Sequence, residues 1–126
     1  MFWWSETTPT SGTGSERTDW RPELDVFERR DGLLLCFSLP GVDEDDVEVL
    51  SLDDVLIVRG TRKLDPPTDA RARRIELPRG RFERRVRLTA PIASEDVQTQ
   101  LTRGLLLVHV PRARGHVRIK VRPRPG

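Results

Sequence analysis

A chain of 126 residues with a formal net charge of +2 has room for one domain with flanking arms and not for two. Its Leu, Ile, Val and Phe content exceeds the ~20% below which a charged chain stays unfolded, so a modest core is affordable. Ten prolines and nine glycines argue against long helices, and a single cysteine, Cys36, excludes an intrachain disulfide.

Taken in chain order, Met1-Phe2-Trp3-Trp4 meets Ser5 and Glu6 at once and lacks the apolar region of a signal peptide. Residues 5–19 are rich in Ser, Thr and Gly and read as a flexible arm, which sets the aromatic cluster Phe2, Trp3 and Trp4 apart from the domain. The N-terminal arm is therefore placed at 1–19, with regular structure expected from about Trp20. From there the apolar pattern has period two. Strands are expected at 24–28 and 32–39, with Arg30-Asp31-Gly32 between them as a hairpin turn, then through Val47 and Val49. Asp53-Asp54 turns the chain into a strand from Val55 to Arg59, closed by Gly60. A further strand runs through Phe82, Val86 and Leu88, and two more lie at 97–102 and 105–110, joined by Thr102-Arg103-Gly104 and stopped by Pro111. Short strands at this spacing, with no helical period between them, indicate an all-β, immunoglobulin-like antiparallel β-sandwich over 20–111, followed by a tail at 112–126.

The stretch between Gly60 and Arg81 is long for a compact domain and strongly basic, with Pro66-Pro67 inside it. Ala70–Glu76 is a candidate short outlying strand, too charged for core and expected to reach beyond its own sandwich. The tail is basic through Arg112, Arg114, Arg118, Lys120, Arg122 and Arg124, whereas the rest of the chain has an acidic excess. Such a tail suits nucleic acid, acidic lipid or simple solubility, but it carries no aromatic residue for base stacking.

Catalytic chemistry has no anchor. His109, between Val108 and Val110, reads as a satisfied sheet histidine; with His116 the only other one, a zinc site is not expected. Gly-rich phosphate loops are missing and no Ser-His-Asp set can be assembled. The acidic run Asp43-Glu44-Asp45-Asp46 lacks calcium-loop spacing and reads as a solvated turn. Cys36, inside Leu33-Leu34-Leu35-Cys36-Phe37, reads as a small buried hydrophobe. A non-enzyme without cofactor or metal is expected. No run approaches the ~18 apolar residues of a membrane span, so a cytoplasmic protein is the default. Arg84 is the one polar residue out of place, because period two sets it on the apolar face of Phe82, Val86 and Leu88. A charge there calls for a carboxylate, in a local salt bridge or at a subunit contact. Asp65, Asp69 and Glu76 are the candidates, and Glu76 is favoured for its apolar neighbours Ile75 and Leu77.

These residues resemble a known family. Trp20-Arg21-Pro22 with Leu24-Asp25-Val26-Phe27-Glu28, and then Leu39-Pro40-Gly41-Val42 with Asp46-Val47-Glu48-Val49, look like the opening of an α-crystallin domain. Val55-Leu56-Ile57-Val58-Arg59-Gly60 is similar to its next strand. Glu76, Gly80, Phe82, Arg84 and Leu88 fall at the family's spacing, with Arg84 in place of its characteristic arginine. Gly104-Leu105-Leu106 through Val110-Pro111 resembles the closing strand, and Ile119-Lys120-Val121 the I-x-I/V tail motif. The resemblance, to the small heat-shock proteins, covers 20–121. The sequence departs from the pattern at Thr89, where the family has proline and this chain has Pro91 two positions on, and in the shortness of its N-terminal arm.

The resemblance implies an ATP-independent holdase that forms homo-oligomers and binds unfolding client proteins. Its building block would be a dimer in which the loop at 61–80 exchanges a strand, and Arg84 with Glu76 would be the interface ion pair. The tail of one dimer would dock in a groove of another through Ile119 and Val121, with Val47, Val49 and Leu101 as the expected groove residues. Val117-Arg118-Ile119 has the same pattern, which leaves two registers open. Phe2, Trp3 and Trp4 are expected to pack within the assembly or contact the client. Two other readings fit a sandwich: a monomeric co-chaperone or adaptor that binds one folded partner, and a basic-tail nucleic-acid binder.

Overall fold

The computed structural model describes residues 18–89 and 92–112, together with the backbone of 4–6. Eight strands follow one another: β1 (Trp4–Glu6), β2 (Leu24–Arg29), β3 (Gly32–Ser38), β4 (Val47–Leu52), β5 (Val55–Arg62), β6 (Gly80–Leu88), β7 (Gln98–Thr102) and β8 (Leu105–Pro111). They form two four-stranded sheets, ordered β1-β6-β5-β4 and β2-β3-β8-β7, with every strand pairing antiparallel. Among the described residues the only helical segments are two 3-10 turns, Glu44–Asp46 and Ser94–Asp96, each leading into a strand. No helix among them is long and apolar enough to cross a membrane.

The core follows from the two-residue period. Leu33, Leu35 and Phe37 of β3, Leu56 and Val58 of β5, Phe82, Val86 and Leu88 of β6, and Leu106, Val108 and Val110 of β8 meet between the sheets. Each is an inward-facing alternate residue, so the sandwich closes when the two apolar faces are laid together. The β7–β8 hairpin turns at Arg103 and Gly104, both at positive φ, the backbone shape that matches the twist of the flanking strands.

Three details differ from the sequence reading. First, structure does not begin at Trp20: β1 adds itself to β6, with Ser5 opposite Arg87. Second, Gly60 does not close β5, which runs on to Arg62 with Gly60 opposite Val47 and Phe82. A side chain at position 60 would overlap the Asp46 carbonyl and press within 2.9 Å of Val47 Cα, so glycine here permits close approach of β4 rather than a turn. Third, Ala70–Glu76 is not a strand in the single chain. It runs as irregular backbone at the surface, because no edge of its own sandwich lies beside it to supply hydrogen bonds.

Candidate functional site

A seam lies open between the edge strands β4 and β7. Val47 and Val49 stand on one wall and Leu101 on the other, all half-buried and packed against the core, with Leu50, Leu56, Val97 and Leu106 completing the apolar lining. The groove measures about 460 Å³. Val47 and Val49 point the same way by the strand period, about 6–7 Å apart. That spacing suits two alternate side chains of another extended segment, the geometry by which sheet edges and grooves take up peptides. Val47, Val49 and Leu101 are thus brought together. Ile119 and Val121 lie outside the described residues, as do Val117, Phe2 and Trp3. Trp4 is placed only as backbone, opposite Leu88.

The second feature is the long connection from Lys63 to Arg79. Its neck is gathered by Arg62, a buried arginine whose guanidinium meets carbonyl oxygens rather than a carboxylate. Nε and Nη2 donate to Pro78 O at 2.9 and 2.6 Å, and Nη1 donates to Pro40 O at 3.0 Å. Burial lowers its pKa, as does, to a lesser extent, the positive charge of Arg79. Arg79 fastens the same neck by donating from Nη1 to Leu64 O (2.6 Å) and from Nε to Leu77 O (3.2 Å). Beyond this tie the loop is exposed, and Ile75 and Leu77 show 55% and 64% of their surface to solvent.

Sequence reasoning missed Arg62 because it ended the strand at Gly60. Had the inward positions Leu56 and Val58 been extended by period two, Arg62 would have fallen on the inner face. Arg84 does sit among the inward residues of β6 and is half-buried, and its Nη1 donates to Pro22 O at 2.8 Å. Glu76 is not its partner within one chain: Glu76 Oε2 meets Arg74 Nη1 at 3.1 Å, with both side chains more than two-thirds exposed. Asp43–Asp46 forms the first 3-10 turn, outside the core.

His109 departs from expectation. Its Nε2 is buried without a hydrogen-bond partner among the described residues, and Asp31 Oδ2 stands 3.8 Å away, just beyond reach across the β2–β3 turn. Cys36 is half-buried on the outer face of its sheet, and its thiol pKa is pushed up by burial and then by the Asp25 charge, against the opposing pull of Arg29.

Comparison with known proteins gives the fold a lineage. The profile of the Hsp20/alpha crystallin family matches residues 25–123. The 16.9 kDa class I heat shock protein 1 of Triticum aestivum is 34% identical over 108 residues, which cover 82% of this chain and 66% of that protein. A heat shock protein of Dictyostelium discoideum is 31% identical over 114 residues, 89% of this chain but 27% of its own length. In both, the matched stretch takes up less than two-thirds of the relative. Among solved structures, heat shock protein 16.0 from Schizosaccharomyces pombe superposes with a TM-score of 0.68 at 25% identity, covering 85% of this chain and 96% of that one. A small heat-shock protein from Xylella fastidiosa gives 0.68 at 28% identity, over 86% and 95%.

Proposed function

This chain belongs to the Hsp20/alpha crystallin family, and on that footing we propose that it is an ATP-independent holdase, assembled into homo-oligomers that bind unfolding proteins. The observation that carries the reading is the apolar groove between β4 and β7, whose walls at Val47, Val49 and Leu101 fit an extended segment with alternating apolar side chains. Ile119 and Val121 supply such a pair. Two aliphatic anchors contribute roughly 1.5–3 kcal/mol each on burial, too little to hold two subunits alone. Repeated round a closed assembly, the same contact becomes strong through effective concentration, yet each copy opens readily on warming. Opening bares the groove, and an apolar surface that appears under stress is what captures an unfolding chain.

The dimer beneath this assembly uses the loop at 63–79. Ile75 and Leu77 are exposed on a segment whose neck Arg62 and Arg79 hold in place, an arrangement that leaves an irregular segment free to pair as a strand with a second subunit. In that setting the partner's Glu76 reaches Arg84. Phe2, Trp3 and Trp4 pack within the oligomer or meet the client.

Two measurements test the reading. The purified protein suppresses light scattering from a heated client equally with and without ATP; a requirement for ATP refutes it. Ile119→Ala/Val121→Ala shifts the assembly toward dimers while the far-ultraviolet spectrum stays that of a β-sandwich. A parent chain that sediments as a monomer favours the adaptor reading instead.

A further inference from the structure

The groove between β4 and β7 is apolar along its floor, and an acidic 3-10 turn lies near each of its ends. Leu39 N donates to Gly104 O at 2.8 Å, which sets the first 3-10 turn, with Asp43, Glu44 and Asp45, beside the β7–β8 turn. At the far end Ile92 N donates to Asp53 O at 3.0 Å, bringing the second 3-10 turn, with Glu95 and Asp96, next to the β4–β5 turn. Glu44 and Ser94, one from each turn, line the groove itself, while Asp43, Glu95 and Asp96 stand outside its lining and Asp45 faces a neighbouring depression with Asp46 and Glu48. The carboxylates of Asp43, Glu44, Asp45, Glu95 and Asp96 are exposed, and no ion pair engages them among the described residues, whereas Asp46 meets Lys63 at 3.3 Å and Glu48 meets Arg59 at 2.8 Å. Unpaired like charges grouped near the two ends of a groove are mutually repulsive, and they select for a cation that bridges them.

The chain carries a matching segment. Residues 113–126 contain no acid, and Arg118, Lys120 and Arg122 alternate with Ile119 and Val121. In an extended segment with Ile119 and Val121 turned into the groove, the three cations point away from its floor, and their long side chains are what reaches back to the rim. Arg118 and Arg122 are then about 13 Å apart, the same four-residue span that separates Val47 from Ser51 along the wall. We propose that the acidic turns near the two ends of the groove are the ionic half of the docking site for the basic segment 113–126 of a neighbouring copy. Ionic strength therefore sets how tightly copies associate. The inference rests on the docking reading above and adds its regulation. The occupant is taken from a second copy, since Arg112, the last described residue, is directed toward the β2–β3 edge of its sheet and away from β7: its N donates to Asp31 O at 2.8 Å, and its guanidinium lies 3.4 Å from Glu28.

The test uses the full chain. Association between copies is measured by sedimentation velocity from about 0.05 to 0.5 M salt, a range over which exposed charges pass from weakly to strongly screened. The parent is compared with a variant carrying Asp43→Asn, Glu44→Gln, Asp45→Asn, Glu95→Gln and Asp96→Asn, and with Arg118→Gln/Lys120→Gln/Arg122→Gln, whose changes lie outside the sandwich. The parent is expected to lose roughly three- to thirty-fold in affinity across the range, the sum of a few exposed ion pairs. Both variants start weaker and stay flat. Equal association of parent and variants at low salt, or equal salt dependence, overturns the proposal. If Ile119→Ala/Val121→Ala dissolves an assembly that salt does not affect, docking stands and only the ionic role falls. If that variant leaves the assembly intact, the docking reading fails and the ionic proposal with it. A chain that stays monomeric at every salt concentration refutes docking between copies.

Discussion

The guanidinium of Arg62 lies 4.2 Å from the centroid of the Trp20 ring, so the charge that ties the loop neck also rests on the aromatic at the entrance to the domain. Trp20 in turn packs at 5.1 Å against Phe82 and donates from Nε1 to Gly80 O at 3.1 Å. One side chain thus links Trp20, the Pro40 turn and the Pro78 end of the loop. A buried guanidinium is tolerated here because its donors meet carbonyls and its face meets a π-cloud, which together replace part of its lost hydration.

Arg62→Ala is therefore expected to destabilise the sandwich by about 2–4 kcal/mol, because it removes the charge-assisted hydrogen bonds and the stacking on Trp20 at once. Arg62→Lys retains the charge but not the planar fork, and falls between parent and alanine variant. Denaturant unfolding followed by circular dichroism checks both. An alanine variant with the parent's midpoint would make Arg62 a passenger.

Gly60 makes a second prediction. A methyl at this position cannot fit beneath the Asp46 carbonyl unless the β4 edge moves. Gly60→Ala should cost about 1–3 kcal/mol by overpacking. Because the backbone that must give is that of Asp46 and Val47, tail docking weakens as well. A melting temperature unchanged from the parent, with unchanged assembly size, would contradict this close-packed account.

Cys36 bears on pH. Its folded thiol pKa is raised, chiefly by burial, so the folded state favours the protonated form. The stabilisation is fully present below the unfolded thiol pKa of about 8.5 and is lost as pH rises through the folded value. Since the thiolate is the reactive species, alkylation near neutral pH should run slower in the native protein than in denaturant. Equal rates would show an open, ordinary thiol.

Arg84 separates fold from assembly. Its bond to the Pro22 carbonyl exists within one chain. Arg84→Gly removes that bond and adds strand-interior backbone freedom, so the sandwich should lose about 2–4 kcal/mol. Glu76→Gln leaves the single chain nearly unchanged, because its intrachain pairing with Arg74 is solvent-exposed. If the partner's Glu76 answers Arg84, this second variant weakens the dimer alone. A dimer dissociation constant equal to the parent's would remove that pair from the interface.

The strands were legible because alternation is local: Leu33, Leu35 and Phe37, or Phe82, Val86 and Leu88, declare their shared face within one segment. Hairpin turns at Arg30-Asp31, Asp53-Asp54 and Arg103-Gly104 were legible for the same reason, since turn chemistry is carried by the residues that turn. The convergence of Val47, Val49 and Leu101 was anticipated only through family resemblance, because β4 and β7 belong to different sheets and no local pattern joins them. Tertiary structure alone decided the rest. Arg62 looks like a surface charge beside Lys63 until the Pro40 turn, the Pro78 neck and Trp20 close around it. Gly60 looks like a strand end until β4 arrives too close for a side chain. Two acidic turns some fifty residues apart look like ordinary solvated runs until the fold sets them near opposite ends of one groove. Periodicity records which way a side chain points, but what it meets there depends on chain segments distant in sequence, whose approach the sandwich packing alone determines.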